Sequence, residues 1–121
     1  MDIQLLHRGI DITVLDGPYV VDGKPTPDAV AYYTDLIERM ETLRAFAAEA
    51  LLRLYNEVWL ADDIGALDRV AFASRLSNPA IHIYDEVGAA IVYFDDGDMF
   101  GGHTIGVSIR DGVPTSAELV G

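Results

Sequence analysis

Ala80-Ile81-His82-Ile83-Tyr84, Ala90-Ile91-Val92-Tyr93-Phe94, His103-Thr104-Ile105-Gly106-Val107-Ser108-Ile109 and Thr115-Ser116-Ala117-Glu118-Leu119-Val120 succeed one another with only turn-forming residues between them. Within each run every second side chain falls on one face, the pattern of a strand that is buried on one side. Glu86-Val87-Gly88, the Asp95 to Gly102 loop and Asp111-Gly112 supply the turns. Four late strands in a meander are the simplest path through them.

Upstream the period changes. Thr26-Pro27 offers a hydroxyl N-cap followed by proline at the first helical position, where its missing N–H costs nothing. Apolar residues then recur at Leu36, Met40, Leu43, Ala47, Ala50, Leu54 and Val58, widened by Ile37, Leu51 and Tyr55, so one helix face is expected to be buried. Asp35 with Arg39, and Glu49 with Arg53, stand four apart with the acid first, the favourable order for a helix-surface pair. An unbroken helix from Pro27 to Leu60 would run about 50 Å, whereas a compact domain of this size is only about 35 Å across. Two resolutions are open: a break between Tyr33 and Thr42, where Thr34-Asp35 and Glu38 offer a second capping box, or an end that overhangs into a dimer partner. Asp68 reads as the N-cap of a short helix carrying Val70, Ala73 and Leu76 inward, ended by Asn78-Pro79. Ahead of the helices, Ile10 to Leu15 and Tyr19 to Val21 flank Asp16-Gly17-Pro18 and read as a short antiparallel pair, with Leu5 and Leu6 either extending the sheet or forming an arm. The fold expected is α+β: an antiparallel sheet, made of an N-terminal hairpin and the four-strand meander, packed on one face by helices.

Composition narrows the function classes. The chain has 121 residues, one domain by length, without repeats or a linker-like tract. It has no cysteine, which excludes disulfides, thiolate metal sites and cysteine nucleophiles. Twenty acidic residues face eight basic ones, for a net charge of −12. Such a field repels phosphate backbones and anionic lipid, so neither nucleic acid nor membrane is an expected partner, and a basic protein is. The opening residues Met1 to Gly9 lack the charge and apolar core of a signal peptide, so the cytoplasm is the expected location.

The densest chemistry lies in Asp95-Asp96-Gly97-Asp98-Met99-Phe100-Gly101-Gly102-His103. Asp95, Asp96 and Asp98 lack the alternating ligands and closing glutamate of a calcium loop. His7, His82 and His103 have no metal-ligand spacing, and there is no phosphate-binding loop, dinucleotide fingerprint or serine elbow. No catalytic residue, cofactor or metal is therefore assigned. Alternation puts His103 on the face of Ile105, Val107 and Ile109, at the rim of the core. The three aspartates, Phe100 and His103 are the expected partner-binding set: charges that steer encounter and an aromatic anchor. The competing expectation is a small-ligand or enzymatic pocket near the same loop, and a homodimer is a further possibility.

The stretches Ala90-Ile91-Val92-Tyr93-Phe94, Phe100-Gly101-Gly102-His103-Thr104-Ile105 and the closing Leu119-Val120-Gly121 resemble a group of small bacterial domains of unknown function. In these a Phe-Gly-Gly-His-Ser/Thr-Ile type segment starts a late strand. The resemblance implies an immunity-type role, binding a secreted toxin, and supplies no catalytic residues.

Overall fold

The computed structural model describes residues 1–121. Strands β1 (Ile3–His7), β2 (Ile10–Val14), β5 (Ser77–Ile83), β6 (Ala89–Asp95), β7 (Thr104–Arg110) and β8 (Val113–Val120) form one sheet in the order β1-β2-β5-β6-β7-β8. The meander β5 to β8 is antiparallel throughout, as the alternation predicts. Ile81, Ile83, Ala90, Val92, Phe94, Ile105, Val107 and Ile109 point to the covered face and are all buried. No helix is long and apolar enough to cross a membrane.

The N-terminal region differs from the sequence reading. The hairpin is β1 with β2, turning at Arg8 and Gly9, both at positive φ. Val20–Val21 (β3) pairs instead with Lys24–Pro25 (β4) in a separate small ribbon. The sheet is consequently mixed rather than antiparallel, since β2 runs parallel to β5, with Asp11 opposite Ala80 and Val14 opposite Ile83. The physical reason is the insertion between them. Parallel neighbours need a long crossover, and the helical segment supplies it.

Thr26 caps α1 (Pro27–Glu38), its hydroxyl accepting from the Ala29 N–H at 3.1 Å, as expected from Thr-Pro. The long helix does break, at Arg39 (φ −106°, ψ 21°), before α2 (Met40–Leu54) begins. No side chain caps α2, so the Thr34–Glu38 box is not the cause. Arg39 itself holds the kink, its guanidinium donating to Asp35 at 2.8 Å and to the Gly112 carbonyl at 2.6 Å. The other expected pair does not form: Arg53 reaches forward to Glu57 and Glu49 meets Arg69. Asp68 caps α3 (Arg69–Ser74), accepting from the Ala71 N–H at 2.8 Å. That helix buries Phe72 and leaves Val70 exposed; Leu76 is buried just beyond its end. Asn78-Pro79 lies not at a helix end but within β5, at a register shift, with Asn78 at positive φ.

The buried stripe of the helices is Leu36, Met40, Leu43, Ala47, Ala48, Leu51 and Tyr55. Leu54 and Val58, expected inside, are 38% and 69% exposed. Leu43→Ala and Leu51→Ala should each lower stability by about 2 to 5 kcal/mol through lost burial and a cavity, whereas Leu54→Ala should cost about 1 kcal/mol or less. Urea unfolding of the three variants checks this ranking, and equal losses at all three positions would contradict it.

Candidate functional site

α2 does not stop at Leu54. Its last turn widens into a π-helix over Tyr55–Trp59, closed by the Leu60 N–H donating to the Tyr55 carbonyl at 2.7 Å. Leu60 then sits at φ +25° and ψ 75°, an uncommon conformation for a residue with a branched side chain. The extra residue is stabilised by its neighbours. The Tyr55 hydroxyl donates to the Gly65 carbonyl at 2.8 Å and accepts from the Ala61 N–H at 3.2 Å. Asn56 brackets Leu67, donating to its carbonyl at 2.9 Å and accepting from its N–H at 3.0 Å. Single-turn π insertions of this kind occur often at functional sites.

The turn's effect is to lay Trp59 against the loop between β6 and β7. Its ring meets Phe100 and His103 edge to face, with centroids 5.6 and 5.5 Å apart. Phe100 also meets Tyr55 at 5.8 Å and Phe72 at 6.1 Å, so it plugs the core from above. Trp59 remains 40% exposed, flanked by Val58 and by Leu60, which is 46% exposed.

The loop itself is built around Asp96. Its carboxylate accepts four backbone N–H bonds: Asp98 on Oδ1 at 2.9 Å, and Phe100, Gly102 and His103 on Oδ2 at 2.9, 3.1 and 2.9 Å. A carboxylate holding its own loop this way can be buried because its charge is met by donors. Gly97 is required beside it. Its φ is +58°, and a Cβ there would fall 2.6 Å from the Arg75 carbonyl oxygen. His103 Nδ1 is hydrogen-bonded to the Phe100 carbonyl, which orients the imidazole toward Trp59.

The residues expected to face a partner therefore divide. Asp95 and Asp98 are exposed and His103 is half-buried, all on one loop. Asp96 is only 2% exposed and Phe100 is fully buried, so the expectation that the whole set is solvent-facing is corrected for these two. The loop's backbone donors claim the first, and the core claims the second. His103 does lie at the rim of the core, where its main-chain N–H donates to Asp96. Val58, expected on the buried stripe, joins the surface instead, together with Trp59 and Leu60.

The other histidines lie elsewhere, His7 against Tyr33 and His82 against Tyr93, and burial holds the His82 imidazole below its ordinary pKa. No three His, Asp or Glu side chains come close enough together to hold a metal ion. The recess in the loop, about 400 Å³ and lined by Ser77, Asp95, Asp96, Gly97, Asp98, Gly102 and His103, has no apolar wall. Small-molecule sites are mostly apolar, so the pocket alternative gains nothing from it.

A larger cleft of about 610 Å³ lies where α1 meets the turns after β5 and β7, with Asp28, Asp35 and Asp111 around it. Its tyrosines are committed to the fold. The Tyr32 hydroxyl donates to the Gly88 carbonyl at 2.7 Å and accepts from the Gly112 N–H at 3.2 Å, while Tyr19 accepts from the Gly88 N–H at 2.9 Å. Burial raises the Tyr32 pKa above its ordinary value.

No curated protein and no solved structure matches the chain. Residues 23–119, which run from the turn before β4 through the helices, the π-turn and the loop into β8, match a family described as an uncharacterized protein conserved in bacteria (DUF2262). That match spans most of the 121 residues, and the chain belongs to this bacterial family.

Proposed function

We propose that this chain is a non-catalytic protein-binding module whose contact surface is the π-turn ridge of Val58, Trp59 and Leu60 together with Asp95, Asp98 and His103, and whose partner is basic. The observation that carries the reading is Trp59: a large aromatic side chain, 40% exposed, held edge-on by Phe100 and His103 on a turn pinned by Tyr55 and Asn56. Rigid aromatic residues ringed by polar groups are the usual energetic centres of protein interfaces, because little entropy is lost when they are covered. The net charge of −12 supplies the complementarity to a basic surface. It also disfavours a second copy of the chain as the occupant, since two such surfaces repel. A basic secreted toxin neutralised by binding is the specific form that the resemblance supports.

The test uses the folded chain immobilised as bait in a lysate of its native bacterium, beside Trp59→Ala. The protein captured by the first and lost by the second is then purified for stopped-flow binding at two ionic strengths. Trp59→Ala should speed dissociation at least tenfold, the effect of a residue worth about 2 kcal/mol or more. Asp95→Asn with Asp98→Asn should instead slow association and flatten its salt dependence. A partner that binds Trp59→Ala with unchanged lifetime, or that is itself acidic, would overturn the reading.

A further inference from the structure

We propose that the free edge of β1 pairs with the β1 edge of a second copy of this chain, antiparallel and with Leu5 opposite Leu5, so that the two sheets become one. This surface shares no residue with the π-turn ridge, and it stands or falls independently of the partner proposed there.

The sheet has two edges, β1 and β8, and they are built differently. An open edge offers unpaired main-chain donors and acceptors, which folds blunt with proline, charge, a bulge or a covering helix. β8 has all of these. Pro114 lacks an N–H, Glu118 is exposed, the register shifts beside Ile109, and α2 packs against the strand. Ile3-Gln4-Leu5-Leu6-His7 contains no proline, no carboxylate, no lysine and no arginine. It pairs with β2 without a shift, and Leu6 on it is 67% exposed.

The β1–β2 hairpin fixes which groups face outward. Its turn residues Arg8 and Gly9 have φ of 51° and 77°, the primed geometry in which the flanking pair, here His7 and Ile10, exchanges both main-chain bonds. Every second pair does the same, so Ile3, Leu5 and His7 direct their N–H and C=O groups to β2. Those of Gln4 and Leu6 point away from the sheet.

Charge then selects the mate and the register. With Leu5 opposite Leu5, Gln4 and Leu6 exchange bonds with Leu6 and Gln4 of the second copy, and at each end Asp2 falls opposite Arg8 on the same face. Sliding by one hydrogen-bonded pair would instead set Asp2 against Leu6 or Arg8 against Gln4. Both charged side chains are exposed and loosely held: Asp2 accepts from the Asp16 N–H at 2.8 Å, and Arg8 lies 3.6 Å from Glu38. Any extended segment could add to this edge, but one with an acid before it and a base after it matches both ends, and β1 itself is such a segment. Leu5, only partly covered by the core, gains a partner on the inner face, and the two copies of Leu6 become diagonal neighbours on the outer one. The net charge of −12 opposes association at long range. That repulsion is screened over about 8 Å at physiological salt, and Ile3 to His7 bring no carboxylate to the seam.

The test is sedimentation equilibrium of the full chain from about 10 μM to 1 mM, with hydrogen exchange of the β1 amides at both ends of that range. One strand from each copy makes a contact below the standard interface size, so a dimer with a dissociation constant on the order of 100 μM is expected. The Gln4 and Leu6 amides should exchange more slowly as the dimer fills, while those of Ile3 and Leu5, already bonded to β2, change little. Asp2→Arg and Arg8→Asp should each weaken the dimer by about tenfold, and the two together should restore it, because the pair is re-formed with its signs exchanged. Aspartate also suits the positive φ at position 8. Leu6→Lys should weaken the dimer by roughly tenfold or more, since it places like charges diagonally across the seam, whereas Ser116→Lys on the other edge should have no effect. All four positions are exposed, so the variants should remain folded, which circular dichroism checks. A chain that stays monomeric to about 1 mM would overturn the proposal. So would a dimer whose Gln4 and Leu6 amides exchange unchanged, a double reversal no better than the single ones, or a dimer lost through Ser116→Lys.

Discussion

Replacing Asp96 with alanine is expected to lower stability by roughly 3 to 5 kcal/mol, although the residue sits in a surface loop and its neighbours Asp95 and Asp98 are exposed. The substitution strips the acceptor from four N–H groups at once, those of Asp98, Phe100, Gly102 and His103. Each bond to an ionised group contributes about 1.5 to 3 kcal/mol, and donors left facing the protein without a partner cost more than donors returned to water. The four losses do not simply add, because the loop can open to solvent and recover part of the energy. Asp96→Asn separates the terms. Its oxygen can occupy the Oδ2 position, where three donors converge, but its amide then faces the Asp98 N–H, so a smaller loss of about 1 to 3 kcal/mol is expected. Denaturant unfolding gives the magnitudes, and hydrogen exchange at residues 98, 100, 102 and 103 gives the location. A loss under about 1 kcal/mol for Asp96→Ala would mean that the loop's order does not depend on this carboxylate.

Phe100→Ala should be comparably damaging, about 3 to 5 kcal/mol, as for other buried phenylalanines. The fully buried ring makes edge-to-face contacts with Tyr55, Trp59 and Phe72, joining the π-turn, α3 and the β6–β7 loop. Its removal opens a space that these elements cannot fill by small shifts, because Tyr55 is tied to Gly65 and Ala61 by its hydroxyl. Phe100→Leu, which keeps most of the volume, should cost well under half as much. Thermal unfolding checks the stability, and tryptophan emission checks the local effect: it should shift to longer wavelength in Phe100→Ala as Trp59 loses one wall of its seat. An unchanged melting temperature would place the ring outside the core.

The parts of this fold that were legible from sequence are those fixed by local patterns. Alternation from Ala80 onward located the meander, and Thr26-Pro27 and Asp68 marked two helix starts because capping needs only a side chain and the next three residues. The parallel seam of β2 with β5 has no such signature, since it joins segments separated by all three helices. Asp16-Gly17-Pro18 is a stronger local turn signal than Arg8-Gly9, yet the hairpin of β1 with β2 turns at the weaker one. The π-turn was invisible for a related reason: inserting one residue rotates the later side chains by about 100°, so a helical stripe extended past Tyr55 puts Val58 inside when it lies outside.

At the loop, a usable signal was present. Ala90, Val92 and Phe94 point inward, and the same period carried two residues further reaches Asp96, which is buried. A carboxylate at an inward position ahead of a glycine-rich turn announces a surplus of main-chain donors to be satisfied. Phe100 beside Met99 likewise has the composition of a core plug rather than of an anchor on the surface. Trp59 could not have been joined to His103 from spacing alone, because their contact depends on the π insertion.

The parallel seam also sets an order of events as the chain folds. The meander from β5 to β8 zips through neighbours linked by short turns, so little entropy is lost in closing each loop. Pairing Asp11 with Ala80 closes the whole helical insertion at once, and it can be rewarded only after β5 has found its own place. The β1–β2 hairpin is therefore a late arrival on a sheet already half built. Changes that weaken it will chiefly hasten the protein's unfolding and leave its folding rate nearly untouched.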